Sequence, residues 1–225
     1  MRKNGSRLIS LRQYKLTDLF LFAVILVVAE VIVHFATLKF SGETVTYLVT
    51  FTVPVTMLVM VRWGWVAVFY AVADGVLWCL LKGAAWQSYL CYGLGNAFVA
   101  LLLLMTKFVG KSKISDKWYL SVLFVVCGWI SMMLGRSLLG LCVGYSFSYL
   151  LKAFCLNELL SLCMAVIIIA VLRKFDGMFE DQKTYLLRLD RERRDKMRPE
   201  TFGNDYVEID DESMSILKKW DDGLN

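Results

Sequence analysis

The chain is short of the residue types that most enzymes use. It has one histidine, His34, and two prolines in 225 residues. One histidine excludes HExxH zinc chemistry and any site built from several imidazoles. There is no GxxxxGK[ST] loop, no GxGxxG fingerprint and no GxSxG elbow. Any ATP-driven step that uses this chain therefore belongs to another subunit. Cys79, Cys91, Cys127, Cys142, Cys155 and Cys163 all lie in apolar stretches, and none forms a CxxC. They read as small hydrophobes, not as disulfide partners or metal ligands. No enzymatic activity, cofactor, metal or nucleic-acid partner is expected.

Charge is scarce over most of the length. Hydrophobic residues make up 58% and charged residues 20%, and the two are segregated. Residues 1–173 hold 15 basic and 6 acidic side chains, whereas residues 174–225 hold 10 and 14. An apolar block of this length holds several membrane spans of about 20 residues each. Six are read, at Leu19–Phe40, Thr44–Val61, Trp63–Leu81, Tyr89–Thr106, Trp118–Leu134 and about 155–172. The last apolar block, Ser137–Leu172, is cut at Lys152 into an outer loop or partial helix (about 137–154) and the sixth span. A seven-span alternative crosses twice there and puts the tail outside. Pro54, near the middle of span 2, predicts a kink.

Six spans place both termini on one side. The N-terminus, Arg62, the loop with Lys107, Lys111, Lys113 and Lys117, and Arg173/Lys174 gather most of the positive charge, which predicts a cytoplasmic location for both ends. The expected organisation is a basic N-terminus (1–15), a six-helix transmembrane domain (16–173) and a charged cytoplasmic tail (174–225). The tail is expected to open with a short helix, with Asp176 able to cap it, and to turn acidic after Pro199. The fold class is all-α, a multi-pass protein of the cell membrane in contact with lipid.

Ionisable groups inside spans are costly, so each is a candidate for function. They are Glu30, His34, Asp74 and Glu158, with Asn96 and Asn157 as polar companions and Arg136 and Lys152 flanking the outer loop. In this topology they gather in the outer half, and the inner half is nearly all apolar. That asymmetry fits a cavity open to the outside and closed within; a channel would need polar lining throughout. Glu30 and His34, four apart, read as a self-satisfied pair, as a ligand-facing one or, with no nucleophile or metal beside them to favour it, as a catalytic acid–base couple. Asp74 reads as a site carboxylate or as the partner of Arg136 or Lys152. Asn96 reads as a site residue or as an inter-helix hydrogen bond, with Gly93 and Gly95 allowing close approach. Trp78 and Trp129 are placed to stack on a flat ligand. Gly140-x-x-x-Gly144 is a packing pattern.

The stretch VPVTMLVMVRWGWVAVFYAVADGVLW, followed by YGLGNAF, is similar to the second to fourth spans of the S components of energy-coupling-factor vitamin transporters. There too a proline-bearing helix, a short basic turn and a glycine-punctuated pair recur. The resemblance covers about residues 16–173. It implies a membrane-embedded binding subunit for a small vitamin-like solute, taken up with a separate transmembrane coupling subunit and ATPase subunits. In that family a small-x-x-x-small pattern on span 1 meets the coupling subunit. Here Ala23, Ala29 and Ala36 are not four apart, and Ala67-x-x-x-Ala71 on span 3 carries the pattern. Ala23, Ala67 and Ala71 are therefore the expected partner surface. A different reading is a non-transport membrane scaffold or assembly protein that recruits partners through its tail.

Overall fold

The computed structural model describes residues 11–40 and 49–197. All regular structure in the described residues is helical. Five stretches are long and apolar enough to cross a membrane: Arg12–Lys39, Thr52–Lys82, Trp86–Val109, Trp118–Cys142 and Phe147–Leu172. Two compact units divide between Leu186 and Leu187, and the apolar helices belong to the first.

Helix α1 (Leu11–Phe40) is one uninterrupted rod. Helices α2 (Thr52–Trp63) and α3 (Ala67–Lys82) form a hairpin, joined through Gly64 at φ 70° and a tight turn, Gly64–Val66. The Thr52 hydroxyl donates to the Asp74 carboxylate, 22 residues further on. A straight helix would hold those residues ~33 Å apart, so α3 runs back along α2. The turn falls at the expected break near Trp63, because only glycine adopts this positive φ at no steric cost. Residues 44–48, the start of the expected second span, lie outside the described residues. Every residue of α2 is buried, which makes this short helix the central pillar of the bundle. Pro54 does not kink it. It is the third residue of the helix, in the first turn, where its missing N–H costs no helical hydrogen bond.

The next stretch changes gauge along its length. After α4 (Trp86–Ser88) it widens to a π-type turn over Tyr89–Leu94, tightens to 3₁₀ over Ala97–Leu101, and continues as α5 (Leu102–Val109) and the short α6 (Lys111–Asp116). Helix α7 (Trp118–Cys142) then turns at Gly144, φ 88°, into α8 (Phe147–Leu172). This corrects the reading of the last apolar block. Of the two alternatives for residues 137–154, the loop is not formed: Ser137–Cys142 completes α7, residues 143–146 make the turn, and α8 begins at Phe147. Lys152 did not force a break because its side chain is exposed on α8. Gly144 therefore serves the turn, while Gly140 lets Leu150 approach α7: a Cβ there would lie 2.1 Å from Leu150 Cδ1. Helix α9 (Gln182–Met197) follows a turn-rich segment. Its cap is Asp181, which accepts from the Thr184 amide at 3.4 Å, and not Asp176.

The start of α1 and the chain after α8 meet at the same end of the bundle, where the Tyr14 hydroxyl donates to Gln182 Oε1 at 3.0 Å. We call this the basal end. It is not apolar, although the half of the bundle that carries Arg62 and the segment after the last span was expected to be nearly so. Arg62, expected at a surface turn, is 4% exposed. It grips Asp18 with Nε (3.0 Å) and Nη2 (2.7 Å), and Nη1 donates to the Gly177 and Met178 carbonyls. Trp63 Nε1 donates to the same Asp18 at 2.5 Å. Arg173 donates to the Ser115 and Asp116 carbonyls, and Lys111 pairs with Asp181 at 2.6 Å. The segment after α8 is thereby sewn onto the base of α1, α2 and α6.

Candidate functional site

The site lies around the head of α2, where the chain enters the bundle at Thr50-Phe51-Thr52. Each of these residues ties a different helix. The Thr50 amide donates to Ser161 Oγ of α8 at 3.0 Å. The Phe51 amide donates to Glu30 Oε1 of α1 at 2.5 Å. The Thr52 hydroxyl meets Asp74 of α3. The N-terminal amides of a helix lack internal acceptors, so the carboxylate of Glu30 performs a cap from another helix.

Beside this head stands a second set built on Arg136 of α7. Its Nη1 donates to Glu158 of α8, and its Nε donates to Asn96 Oδ1 at 2.7 Å. Its guanidinium carbon stands 4.7 Å from the centre of the Tyr92 ring. Asn96 Nδ2 donates in turn to the Ala71 carbonyl at 2.9 Å. Three glycines make these approaches possible. A Cβ on Gly75 would lie 2.0 Å from the Tyr92 carbonyl oxygen, one on Gly135 2.3 Å from the Gly95 carbonyl, and one on Gly95 2.8 Å from Arg136 Cα. The widened turn at Tyr89–Leu94 carries Tyr92 and Gly93. Insertions of this kind recur where a helix must re-aim a side chain.

The two sets are one electrostatic neighbourhood. Glu30, Asp74, Glu158 and Arg136 lie within Coulombic reach of one another, and none is more than 2% exposed. Three carboxylates face one guanidinium. Several buried polar atoms here have no hydrogen-bond partner among the described residues: Asp74 Oδ1, Glu158 Oε2, Ser137 Oγ, Thr50 Oγ1, Trp129 Nε1 and His34 Nδ1. A buried polar group left unmet costs about 1–3 kcal/mol, and more when charged.

Depth follows from helix lengths. Past the cluster, α1 continues from Glu30 to Phe40, α3 from Asp74 to Lys82, and α8 starts at Phe147, eleven residues before Glu158. At 1.5 Å per residue the cluster lies ~12–16 Å below the apical ends of these helices. Above the α2 head is a small cavity of about 10 Å³, with Glu30, His34, Thr37, Val49, Trp78 and Lys82 in its wall. That is room for about one water-sized group.

Of the nine side chains expected to bind a ligand, five converge: Glu30, Asp74, Asn96, Arg136 and Glu158. His34 and Trp78 join them at the cavity. His34 makes no hydrogen bond to Glu30; its ring stands edge-on to Phe35, with centroids 5.6 Å apart. Trp78 packs against Tyr92 at 4.4 Å. Trp129 is buried in α7, and its N–H has no partner among the described residues. Asn157 is exposed and stays outside the cluster. The buried stripe of α8 is Leu150, Phe154, Glu158, Ser161, Ala165 and Ile169, and the residue before Glu158 is turned 100° away from it. Asp74 pairs with Thr52, and neither with Arg136, which Glu158 takes, nor with Lys152.

The alanines of the expected partner surface are also placed otherwise. Ala67 and Ala71 are fully buried, and the Ala71 carbonyl serves Asn96. They are core contacts, because small residues were needed where α3 meets its neighbours. Ala23 is half-buried. Sequence reasoning missed Thr50, Thr52 and Ser161; the only signal was that hydroxyl-bearing residues flank the charged ones in apolar runs. Among the described residues no three His, Cys, Asp or Glu side chains are grouped so as to hold a metal ion. No protein-family model, curated protein or solved structure matches this chain.

Proposed function

We propose that the chain is the solute-binding subunit of a membrane uptake system. In this reading α2 is a short sixth pass, both termini of the chain and the basal end lie on the cytoplasmic face, and the apical end faces outward. A small vitamin-like solute binds from outside, and separate coupling and ATPase subunits drive its release inward. The observation that carries the proposal is the buried, under-paired polar cluster above a truncated central helix. Twelve residues of α2 span ~18 Å, well short of the ~30 Å hydrocarbon layer. Its head therefore lies below the membrane surface, and the longer α1 and α3 rise past it around the small cavity. Polar groups at that depth mark a solute path by default. The basal network around Arg62 closes the opposite end, which supports a binder and opposes an open channel.

The test is purification of the tagged full-length chain from its own cell's membranes in mild detergent. The expected result is co-purification of a membrane subunit and a nucleotide-hydrolysing subunit, with solute uptake into vesicles that stops when ATP is withheld. Uptake by the chain alone in liposomes without ATP would overturn the division of labour.

A further inference from the structure

We propose that the solute carries a protonated amine, and that this ammonium group sits in the cavity against Glu30, beside the Trp78 indole. The inference rests on the binding-subunit reading and adds the charge and chemical class of what is bound. Charge balance is the first argument. Glu30, Asp74 and Glu158 outnumber Arg136 three to one in a region where no member is more than 2% exposed. Arg136 is committed to Glu158, Asn96 and the Tyr92 ring. Lys82 stands in the cavity wall and removes one further unit of the excess. With all three carboxylates ionised the formal count leaves one negative charge, which a singly charged cation cancels.

Hydrogen bonding is the second argument. Glu30 Oε1 is taken by the Phe51 amide; its other oxygen accepts nothing from the described residues, and the side chain borders the cavity. Asp74 Oδ1 and Glu158 Oε2, outside the cavity wall, also lack a partner among the described residues and leave the cluster rich in acceptors. Ionised carboxylates only accept, so their complement must donate. An anion would meet repulsion, and a neutral hydroxyl would leave the charge uncancelled.

Size and wall chemistry complete the choice. The cavity of about 10 Å³ suits a water-sized group, and an –NH3+ is one. Trp78 lines the same cavity while its ring rests against Tyr92, and an indole face attracts a cation within about 6 Å.

The test uses the full-length chain purified in detergent. Thermal stabilisation and calorimetric titration are run with 2-phenylethylammonium, its neutral isostere 2-phenylethanol, and 3-phenylpropionate. Ammonium, sodium and potassium chloride form a further arm. The expected result is saturable stabilisation by the amine, at least about tenfold weaker binding of the alcohol (~1.4 kcal/mol), and none by the carboxylate. Glu30→Gln should erase the preference for amine over alcohol. If that variant fails to fold, Lys82→Met decides. Lys82 makes no hydrogen bond within the described residues, and its removal should tighten amine binding several-fold. Equal binding of alcohol or carboxylate would overturn the charge assignment and leave the binding-subunit reading standing. Equal stabilisation by inorganic cations would overturn the organic amine. No binding of any probe at millimolar concentration, in wild type or Lys82→Met, would overturn the proposal.

Discussion

Replacing Arg136 by methionine keeps most of the side-chain volume and removes the charge. Arg136 and Glu158 are 1% and 0% exposed. The variant leaves Glu158 without its cation, Asn96 Oδ1 without its donor and the Tyr92 ring without the guanidinium at 4.7 Å. Breaking one side of a buried ion pair costs about 3–5 kcal/mol, most of it the stranded charge. The hydrogen bond and ring contact overlap with that figure and are not added to it. Asn96 and Glu158 sit on different helices, so the loss falls on the joint between α7, α8 and the stretch carrying Asn96. The assay is reversible unfolding of purified protein in mixed detergent, with Glu158→Gln and the double variant completing a cycle. Arg136→Met should lose roughly 3–5 kcal/mol. The double variant should recover part of it, because the neutral amide of Glu158→Gln strands no charge, giving a coupling of about 2–3 kcal/mol. A single-variant loss below about 1 kcal/mol, the range of an exposed pair, would refute the reasoning. So would a double variant that is the sum of the two singles.

Three further outcomes follow from the packing. Gly75→Ala and Gly135→Ala would drive a Cβ to 2.0 and 2.3 Å from backbone carbonyl oxygens, so both should abolish the monodisperse folded protein on size exclusion. Gly93→Ala, 3.3 Å from a Val76 methyl, should be tolerated. Arg62→Met should strand Asp18 and two carbonyls at the basal end. The expected loss is about 3–5 kcal/mol, together with faster proteolysis after α8; unchanged proteolysis would show that the clamp does not hold that segment. Ala67→Trp or Ala71→Trp should remove stability and ligand binding together, since both sites are fully buried. Variants that fold and bind but fail in uptake would restore these alanines to a partner surface.

The gathering of Glu30, Asp74, Asn96, Arg136 and Glu158 was legible because charged and amide side chains in long apolar runs have few ways to be satisfied except by one another. Which pairs form was not legible. Arg136 had two carboxylates to choose from, and the choice depends on helix heights fixed by glycine contacts at Gly75, Gly95 and Gly135. The turn near Trp63 could be read from the basic residue and glycine there. The turn at Gly144 was missed because apolar residues flank it on both sides, and the block's composition gave more weight to Lys152. Asn157 failed on helical phase: its identity pointed inward and its position one residue before Glu158 pointed outward. Ala67 and Ala71 failed because small residues serve both outer contacts and inner ones, and spacing alone does not separate the two. Arg62 reads as a surface charge until Asp18, 44 residues away, is brought to it.

The central claim is that the buried polar cluster exists to hold a small solute. Native mass spectrometry of the intact chain, purified from its own cell and released from detergent in the gas phase, tests it most directly. A fraction carrying one small molecule at one-to-one stoichiometry is expected, reduced in a monodisperse Glu30→Gln variant, whose side chain borders the cavity. Only bare protein and phospholipid adducts, or a small molecule retained unchanged by that variant, would contradict it.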